Sequence, residues 1–465
     1  MSKINDTKNS GKIELKRELG LVAATAIVVG NCIGSGIFTS AASLAAASNP
    51  KTAMIAWVIT AIGSLLIALS FANLGTAMPR TGGPIVYTRA AFGDFAGFLI
   101  AWTYWIGAWV GNAAIITAFM LYFTYFVPGA TTPIVAFLIT SGVLWFFTIV
   151  NILGVKGAGM VSVVTTVLKV GALVVFVVIA GLHFNPDMLS TVSSADVSGM
   201  STLPAAIAIA LWAFVGIESA TVPAGEIKNP EKNIRKSTIY GTLIAAVVYL
   251  IVSIVAMGVL DQATLANSKA PLADIINAAT GGTWGGNFIA IGAIISTLGA
   301  TSGWILTTAR SGFGASQDKL FPEVFGRVHP KYKTPVASLL ISGVAANILL
   351  ILNYVGSLNS AFNFMLLLAT LAFLPAYAFA AAAEIVLLKK HSSDFNFWNF
   401  LKNSFVALLA FGYSIYAIYG TGSEVVMYGF ILMLVGIPVY LYMMLQNNKK
   451  DKLVDNLRKD AGLDA

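Results

Sequence analysis

The sequence predicts an all-α polytopic membrane protein with twelve transmembrane helices, and three observations support this fold class. First, 57% of the 465 residues are hydrophobic and only 10% are charged, with a mean hydropathy of +0.82. Such a chain has too little polar surface for an ordinary soluble domain. Second, apolar segments long enough to cross a bilayer of about 30 Å recur along the chain. Third, two of these segments are interrupted near their middles by glycine and polar residues.

The predicted spans form a single transmembrane transporter domain at residues 19–445. Polar tails at residues 1–18 and 446–465 flank this domain and are expected in the cytoplasm. The predicted spans cover residues 20–46, 53–78, 97–126, 132–153, 157–182, 201–224, 237–260, 285–309, 335–353, 360–388, 401–420 and 424–445.

Two five-helix halves are expected within this domain, related as an inverted repeat. They cover about residues 19–183 and 200–390, and helices 11 and 12 lie outside the repeat at about residues 401–445. The repeat is inferred from topology, because the halves share no convincing residue-by-residue identity. Interrupted helices at corresponding positions of two halves, here segments one and six, indicate a transporter site near the midplane of the membrane.

The distribution of Lys and Arg predicts that both termini are cytoplasmic. With the N-terminus inside, only Lys51 and Lys269 fall on the outer side, and the other basic residues fall on the cytoplasmic side. Cytoplasmic loops of membrane proteins collect such charges. The membrane surface therefore explains the net charge of +8, and no nucleic acid partner is expected. The polar, lysine-rich segment before the first span is not expected to be a signal peptide, so the predicted location is the cell membrane.

The first interruption lies at Asn31 to Phe38, halfway along the first span. Its glycines, Gly34 and Gly36, flank Ser35, and each glycine costs about 1 kcal/mol relative to alanine inside a helix. A broken helix is therefore predicted. Non-helical backbone at membrane depth is tolerated where it is buried in protein or lines a wet cavity. The free N–H groups at the start of the next helix would suit a carboxylate. The alternative is close packing of small residues against a neighbouring helix.

The second interruption lies in the sixth span, where Gly216 precedes Glu218. Glu218 is the only carboxylate expected in the middle of a spanning segment. An ionised group there is costly unless it faces a cavity or a partner, so a role in function or proton coupling is the first interpretation. A permanently protonated glutamate bonded to backbone is the alternative.

Several motifs resemble those of the amino acid-polyamine-organocation transporters over nearly the whole chain. They lie at residues 34–38, 79–84, 87–93, 216–220 and 228–234. Within that superfamily, residues 104–105, 109–112, 211–220 and 303–304 look most similar to the basic amino acid and polyamine antiporters, such as bacterial arginine/agmatine exchangers. The resemblance implies a five-plus-five inverted repeat with broken helices 1 and 6 and two extra helices.

The resemblance also implies the substrate contacts. Backbone N–H groups at Gly34, Ser35 and Gly36 would hold a carboxylate, and carbonyls exposed by the breaks would hold an α-ammonium. Tyr104 matches an outer gate residue. The tryptophans match positions on the substrate path, although aromatic residues in membrane helices more often serve packing. The remaining expected contacts are Cys32, Ile33, Ala108, Asn112, Trp212, Val215, Gly216, Trp304 and Leu368.

Lys169 lies deep in the fifth span, about 18 Å along the helix from its start. From that depth it cannot reach the membrane surface by extending its side chain. In sodium-coupled relatives of this fold a cation bridges segments one and eight, and in some proton-coupled or ion-independent permeases a lysine that resembles Lys169 takes its place. The arginine/agmatine exchangers have an apolar residue there, so Lys169 departs from their pattern. An incidental buried lysine is the alternative.

These observations leave three functional hypotheses, all without a cofactor or metal. The first is exchange of a cationic amino acid for a related amine or amino acid, carried by Glu218, Asn112 and the tryptophans. The second is a proton-coupled or exchanging permease for neutral amino acids, favoured by Lys169 and by an apolar pocket at Ala108 and Leu368. The third is a channel or a nutrient sensor, and no filter-like motif or soluble domain supports it.

An enzyme is not expected, because nothing resembles a nucleophile and base pair or a metal cluster. No Walker motif indicates ATP-driven transport. The expected mechanism is alternating access around a fixed midplane site. The expected partners are an amino acid or amine and the lipid bilayer, with protons and a second copy of the chain in a homodimer as further candidates.

Overall fold

The computed structural model describes residues 17–190, 199–353, 358–388 and 397–460. The regular elements in these ranges are helices, so most of the predicted N-terminal tail lies outside the described residues. The α-helices are α1 (Leu21–Cys32), α2 (Gly36–Ala47), α3 (Pro50–Ala77), α4 (Pro84–Phe126), α5 (Pro133–Leu153), α6 (Val155–Gly181), α7 (Leu203–Phe214), α8 (Pro230–Met257), α9 (Gln262–Ala266), α10 (Pro271–Thr280), α11 (Trp284–Gln317), α12 (Val336–Asn353), α13 (Leu358–Leu388), α14 (Phe397–Gly420) and α15 (Ser423–Asp460).

Ten helical segments in the described residues are long and apolar enough to cross a membrane, with α1 and α2 together forming the first of them. Two further apolar helices are shorter, at Met200–Phe214 and Val336–Ile351. These helices lie where the sequence predicts spans, and the all-α polytopic fold class is confirmed. The number of twelve crossings and the inverted repeat stay predictions.

Two helix boundaries differ from the predicted ones. Helix α4 begins at Pro84, well before residue 97, because a short first helix is joined to the spanning part across Gly93, whose φ is +85°. Helix α15 continues to Asp460, past the predicted end at residue 445. The predicted interruption of the sixth span is present, since α7 ends at Phe214.

Local sequence explains where several helices begin. Proline has no N–H to leave without a partner in the first turn, and its φ suits the first helical position. The Asn49 side chain caps α3 by accepting a hydrogen bond of 2.9 Å from the N–H of Thr52. Proline is the first residue of α3, α4, α5, α8 and α10.

The direction of each helix defines two sides of the molecule. One side carries the start of α1, the end of α3, the start of α4 and the start of α8, and we call it the N-terminal side. The opposite side carries the end of α2, the start of α3 and the short helices α9 and α10. Helix α4 packs mainly against α11 and α13, while α1 packs against α6 and α8. This arrangement places both interrupted helices inside the bundle.

Candidate substrate site between two interrupted helices

The first break separates α1 from α2 at Ile33, Gly34 and Ser35. The N–H of Gly34 donates to the carbonyl of Cys32 at 2.7 Å, which tightens the chain after the helix end. Helix α2 then starts at Gly36, and the first N–H groups of any helix lack partners within it. Ser35 is 1% exposed and lies at this helix start. The break therefore presents a buried helix N-terminus, which favours an anion.

The second break follows α7. Val215 is extended, with φ −62° and ψ 122°, and Gly216 has a φ of +118° that only glycine adopts without strain. Short turns follow, with the N–H of Ser219 donating to the carbonyl of Gly216 at 2.9 Å. Because α7 ends here, the carbonyls of its last turn accept from groups outside the regular helix, such as the Tyr249 hydroxyl, which donates to the carbonyl of Ala213 at 2.8 Å.

The two breaks lie directly against each other. A Cβ atom on Gly36 would come within 2.7 Å of the Cα of Ala213, and a Cβ atom on Gly216 would come within 3.0 Å of the Cβ of Asn31. The Cys32 thiol donates to the carbonyl of Phe214 at 3.8 Å. The helix N-terminus of one break and the exposed carbonyls of the other therefore share one small region.

A cavity of about 10 Å³ lies between the breaks, with room for about one water molecule. An amino acid would need the surrounding helices to move apart. Most of the predicted contacts line this cavity, but Ile33, Ala108, Asn112, Gly216 and Leu368 do not. The lining residues are Asn31, Cys32, Gly34, Ser35, Gly36, Ile115, Trp212, Val215 and Trp304.

Both predicted tryptophans cover this cavity and are tied to the first break. The indole N–H of Trp304 donates to the carbonyl of Asn31 at 3.2 Å, and that of Trp212 donates to the Ser35 hydroxyl at 3.4 Å. The Trp304 ring also lies 5.2 Å from the ring of Phe373. Because of these bonds, a change in the backbone conformation of the first break would also move both indole rings.

Asn31 and Ile115 are site residues that the prediction missed. The Asn31 amide N–H₂ donates to the hydroxyls of Ser219, at 2.8 Å, and of Thr307, at 3.2 Å. Its Oδ1 atom is buried without a hydrogen-bond partner among the described residues. A buried amide three residues before the Gly-Ser-Gly motif was the available signal for Asn31. For Ile115 there was no signal beyond its position one turn after Gly111 on α4.

Asn112 lies behind the cavity wall. Its amide N–H₂ donates to the hydroxyl of Thr308 at 3.0 Å, and that hydroxyl donates to the carbonyl of Trp304 at 2.7 Å. These two bonds fix the amide orientation and leave Asn112 Oδ1 without a partner in the described part of the chain. A buried acceptor next to the cavity suits a substrate group that donates hydrogen bonds.

Glu218 is buried and bonded by two phenols. The hydroxyl of Tyr104 donates to one carboxylate oxygen and that of Tyr377 to the other, both at 2.7 Å. Tyr377 also accepts a bond from the N–H of Gly216 at 3.4 Å. This cluster joins the segment after the second break to α4 and α13.

Tyr104, which the resemblance matches to an outer gate residue, can be located along α4 from its contacts. On the same helix, the Tyr122 hydroxyl donates to the carbonyl of Phe38 in the first turn of α2. Tyr104 lies 18 residues before Tyr122, which is about 27 Å of helix towards the N-terminal side. Its fully buried hydroxyl is bonded to Glu218. The contact between Tyr104 and Glu218 therefore lies towards the N-terminal side of the bundle.

Lys169 crosses from α6 to the first break. Its ammonium donates to the carbonyls of Gly30, Ile33 and Ser296, at 3.0, 2.7 and 3.3 Å. The side chain is fully buried. Within the described ranges, no group of three or more His, Cys, Asp and Glu side chains could hold a metal ion. The positive charge that ties α1 to α11 here is the ammonium of the protein itself.

On the opposite side of the break, a larger open cavity of about 110 Å³ begins one turn into α2. Its lining combines hydroxyls, an amide and one cationic side chain. The lining residues are Thr39, Ala42, Ser43, Ala46, Leu121, Ala266, Ser268, Lys269, Pro271, Phe362 and Asn363. This cavity is larger than the one between the breaks.

Comparison with known proteins identifies the family. A family model described as amino acid permease matches residues 19–445, the same bounds as those of the predicted transmembrane domain. The chain belongs to the amino acid permease family. This assignment confirms the resemblance found in the motifs, and the interrupted helices are those of a permease.

Named relatives of this permease are similar over most of its length. An arginine/ornithine antiporter of Lactococcus lactis subsp. cremoris is 31% identical over 451 residues, covering 91% of this chain and 88% of the relative. An arginine/ornithine antiporter of Pseudomonas aeruginosa is 31% identical over 422 residues, covering 88% and 87%. An arginine/agmatine antiporter of Chlamydia pneumoniae is 31% identical over 458 residues, covering 93% and 91%.

The close contact between the breaks predicts that a methyl group at Gly36 lowers the stability of the fold. We expect Gly36→Ala to destabilise the permease by about 1–3 kcal/mol, because the added carbon overlaps the Ala213 backbone. Thermal unfolding in detergent measures this loss. Gly142→Ala is the control, since a Cβ atom there meets nothing within 4 Å. Equal melting temperatures for the two variants would contradict the close contact.

Proposed function

We propose that this permease exchanges a cationic amino acid for a related amine or amino acid by alternating access. The observation that carries the proposal is the pair of breaks in contact, which places a helix N-terminus and the carbonyl end of another helix around one cavity. A zwitterionic amino acid needs donors for its carboxylate and acceptors for its ammonium. The two sets must be separated by the distance between these two groups of the substrate. The names of relatives at about 30% identity support a cationic side chain.

The amino acid backbone is held by the two breaks. The N–H groups of Ser35 and Gly36 and the Ser35 hydroxyl bind the carboxylate at the start of α2, while the N–H of Gly34 stays bonded to the carbonyl of Cys32. The carbonyls around Trp212 and Val215 accept from the α-ammonium. The carbonyl of Ile33 is already engaged by Lys169 and by the Ser296 hydroxyl at 2.9 Å, so it serves the scaffold instead.

The substrate side chain extends towards α4 and the indoles. Trp212 and Trp304 can each hold a cation against the ring face with about 0.5–2 kcal/mol. The free Oδ1 of Asn112 can accept a hydrogen bond from a guanidinium or ammonium once the site widens. Small residues at Gly107 and Ala108 and the apolar Leu368 shape the space beyond. Glu218 supplies negative charge on the N-terminal side, or it binds and releases a proton there.

The permease is oriented with both termini in the cytoplasm of the cell. Among the described residues, Lys51 and Lys269 are the basic residues at helix ends on the opposite side, whereas Arg80, Arg235 and Lys319 are examples of the many on the N-terminal side. Cytoplasmic surfaces collect such charge. The closed N-terminal side is then the inner one, and the 110 Å³ cavity opens outwards.

A second candidate function is a proton-coupled or exchanging permease for neutral amino acids. Two observations favour it. No acidic side chain is among the described residues that line the cavity, and Ile115 adds an apolar wall. Lys169 can give the site a positive charge and, as an amine, can also release a proton, which suits an ion-independent or proton-coupled cycle.

Uptake into proteoliposomes distinguishes these functions. We expect radiolabelled arginine to enter when the lumen contains arginine, ornithine or agmatine, and to stay near background with an empty lumen. An exchanger cannot return its empty site, so internal substrate is required. Leucine uptake into empty vesicles under an imposed proton gradient, with no arginine exchange, would contradict the proposal and establish the second candidate.

A matched pair of variants tests the side-chain contact in the same assay. Trp212→Ala removes a ring from the cavity and should raise the KM for arginine by roughly 2–30-fold, the equivalent of about 0.5–2 kcal/mol. Trp284→Ala is the control, because Trp284 is 63% exposed at the start of α11. Equal KM values for the two variants would contradict a contact between the Trp212 ring and the cationic side chain of the substrate.

Lys169 is expected to make transport independent of sodium. Exchange by the wild type should be unchanged when sodium is replaced by choline, because the ammonium already occupies the carbonyls that a cation would bind. Lys169→Met leaves three buried carbonyls without their donor, at about 1–3 kcal/mol each if none finds another partner, so it should abolish exchange and lower the melting temperature.

Thr166→Val is the control for Lys169→Met. The Thr166 hydroxyl also donates to a carbonyl of α1, that of Ala26 at 3.2 Å, but it carries no charge. We expect this variant to keep most of its exchange activity. A sodium requirement in the wild type, or full activity in Lys169→Met, would refute the role of a tethered cation.

A further inference from the structure

An ion pair between Arg310 and Glu226 is buried at the N-terminal side of the bundle, apart from the substrate cavity. The Nε atom of Arg310 donates to one Glu226 oxygen at 3.1 Å, and the Nη2 atom donates to the other at 2.9 Å. Neither side chain has any exposed surface. A bidentate pair of this geometry is strong, and removal of one partner leaves an uncompensated buried charge.

Glu226 also ties the start of α1 to the segment after the second break. Its backbone carbonyl accepts bonds from the N–H groups of Glu18 and Leu19, at 3.0 and 2.9 Å. The N–H of Lys228 donates to the carbonyl of Leu19 at 2.8 Å, and Leu19 and Ile227 form a parallel bridge. The beginning of the first interrupted helix and the end of the second are therefore one connected unit.

Arg310 belongs to a different element, helix α11. The same helix carries Trp304, which lies against the substrate cavity and donates to the carbonyl of Asn31. It also carries Thr307, whose hydroxyl accepts a hydrogen bond from the Asn31 amide. The ion pair therefore joins α11 to the unit formed by the ends of the two interrupted helices. Helix α11 can therefore separate from this unit only if the ion pair breaks.

A second, exposed layer of charge lies beyond this pair. Asp318, at the end of α11, accepts from Arg80 at 2.9 Å and from Arg89 at 3.1 Å, and Arg89 also bonds Asp94 at 2.7 Å. Arg80 is 65% exposed, so water screens its bond, whereas the inner pair is dry. The inner pair is the one whose strength depends on whether the path contains water.

We propose that the Glu226–Arg310 pair is a latch that holds the N-terminal side closed and parts when the site opens to that side. In the closed state the dry pair stabilises contact between α11 and the unit that contains Leu19. In the open state water reaches both charges and replaces the bond. The latch thus sets the balance between the two access states, and it rests on the alternating access of the proposed function.

Cys32 provides the probe for this latch, because it is the only cysteine of the chain and lines the substrate cavity. A membrane-impermeant thiol reagent is applied separately to each face of oriented vesicles, and the labelling rate of Cys32 is measured. The variants are Glu226→Gln and the double variant Glu226→Gln with Arg310→Met. The double variant buries no unpaired charge, so it provides the test even where the single one does not fold.

We expect both folded variants to raise Cys32 labelling from the N-terminal face by about ten-fold and to lower it from the opposite face, as a shift between two states requires. Asp94→Asn, which removes an exposed partner of Arg89, should label like the wild type. Labelling of the double variant at the wild-type rate, or an equal rise from both faces, would overturn the latch. The assay needs no substrate, so its failure is distinct from failure of the exchange assay.

Discussion

Unwinding two helices inside a membrane releases backbone groups that lipid cannot bond, and the protein must supply a partner for each. Dedicated side chains on the surrounding helices do this. The single ammonium of Lys169 donates to carbonyls of the first break and also to a carbonyl of α11. These bonds hold the break against its neighbouring helices. The other bonds to carbonyls at the breaks run from Trp304 to Asn31, from Ser296 to Ile33 and Gly34, and from Tyr249 to Ala213.

This supply of partners explains why the breaks are both stable and able to move. Each bond is made by a side chain from another helix, so a rearrangement of helices changes the shape of the break. On the N-terminal side the closed path is held in layers, by Trp304, by the carboxylate of Glu218 between two tyrosines, and by the Glu226–Arg310 pair. The opposite side has hydroxyls around an open cavity. This state is therefore closed towards the N-terminal side, with a volume of only about 10 Å³ between the breaks.

Part of this architecture was predictable because it follows from local chemistry. Glycines beside a serine in an apolar segment weaken a helix, and a lysine halfway along a span must find partners, so the break at Gly34 and the inward position of Lys169 could be anticipated. The extended start of α4 could not, since Gly93 joins two helices only through its positive φ. Sequence also could not assign Tyr104 to Glu218, because that contact depends on the relative heights of two distant helices.

The central claim is that an amino acid binds where the two breaks meet. The most direct measurement is an electron cryo-microscopy structure of the permease with L-arginine. The account predicts the carboxylate within hydrogen-bond distance of the Ser35 and Gly36 amides, with the guanidinium beside Trp212 or Asn112. Arginine bound elsewhere, for example in the cavity lined by Lys269 and Asn363 with the breaks unoccupied, would contradict it.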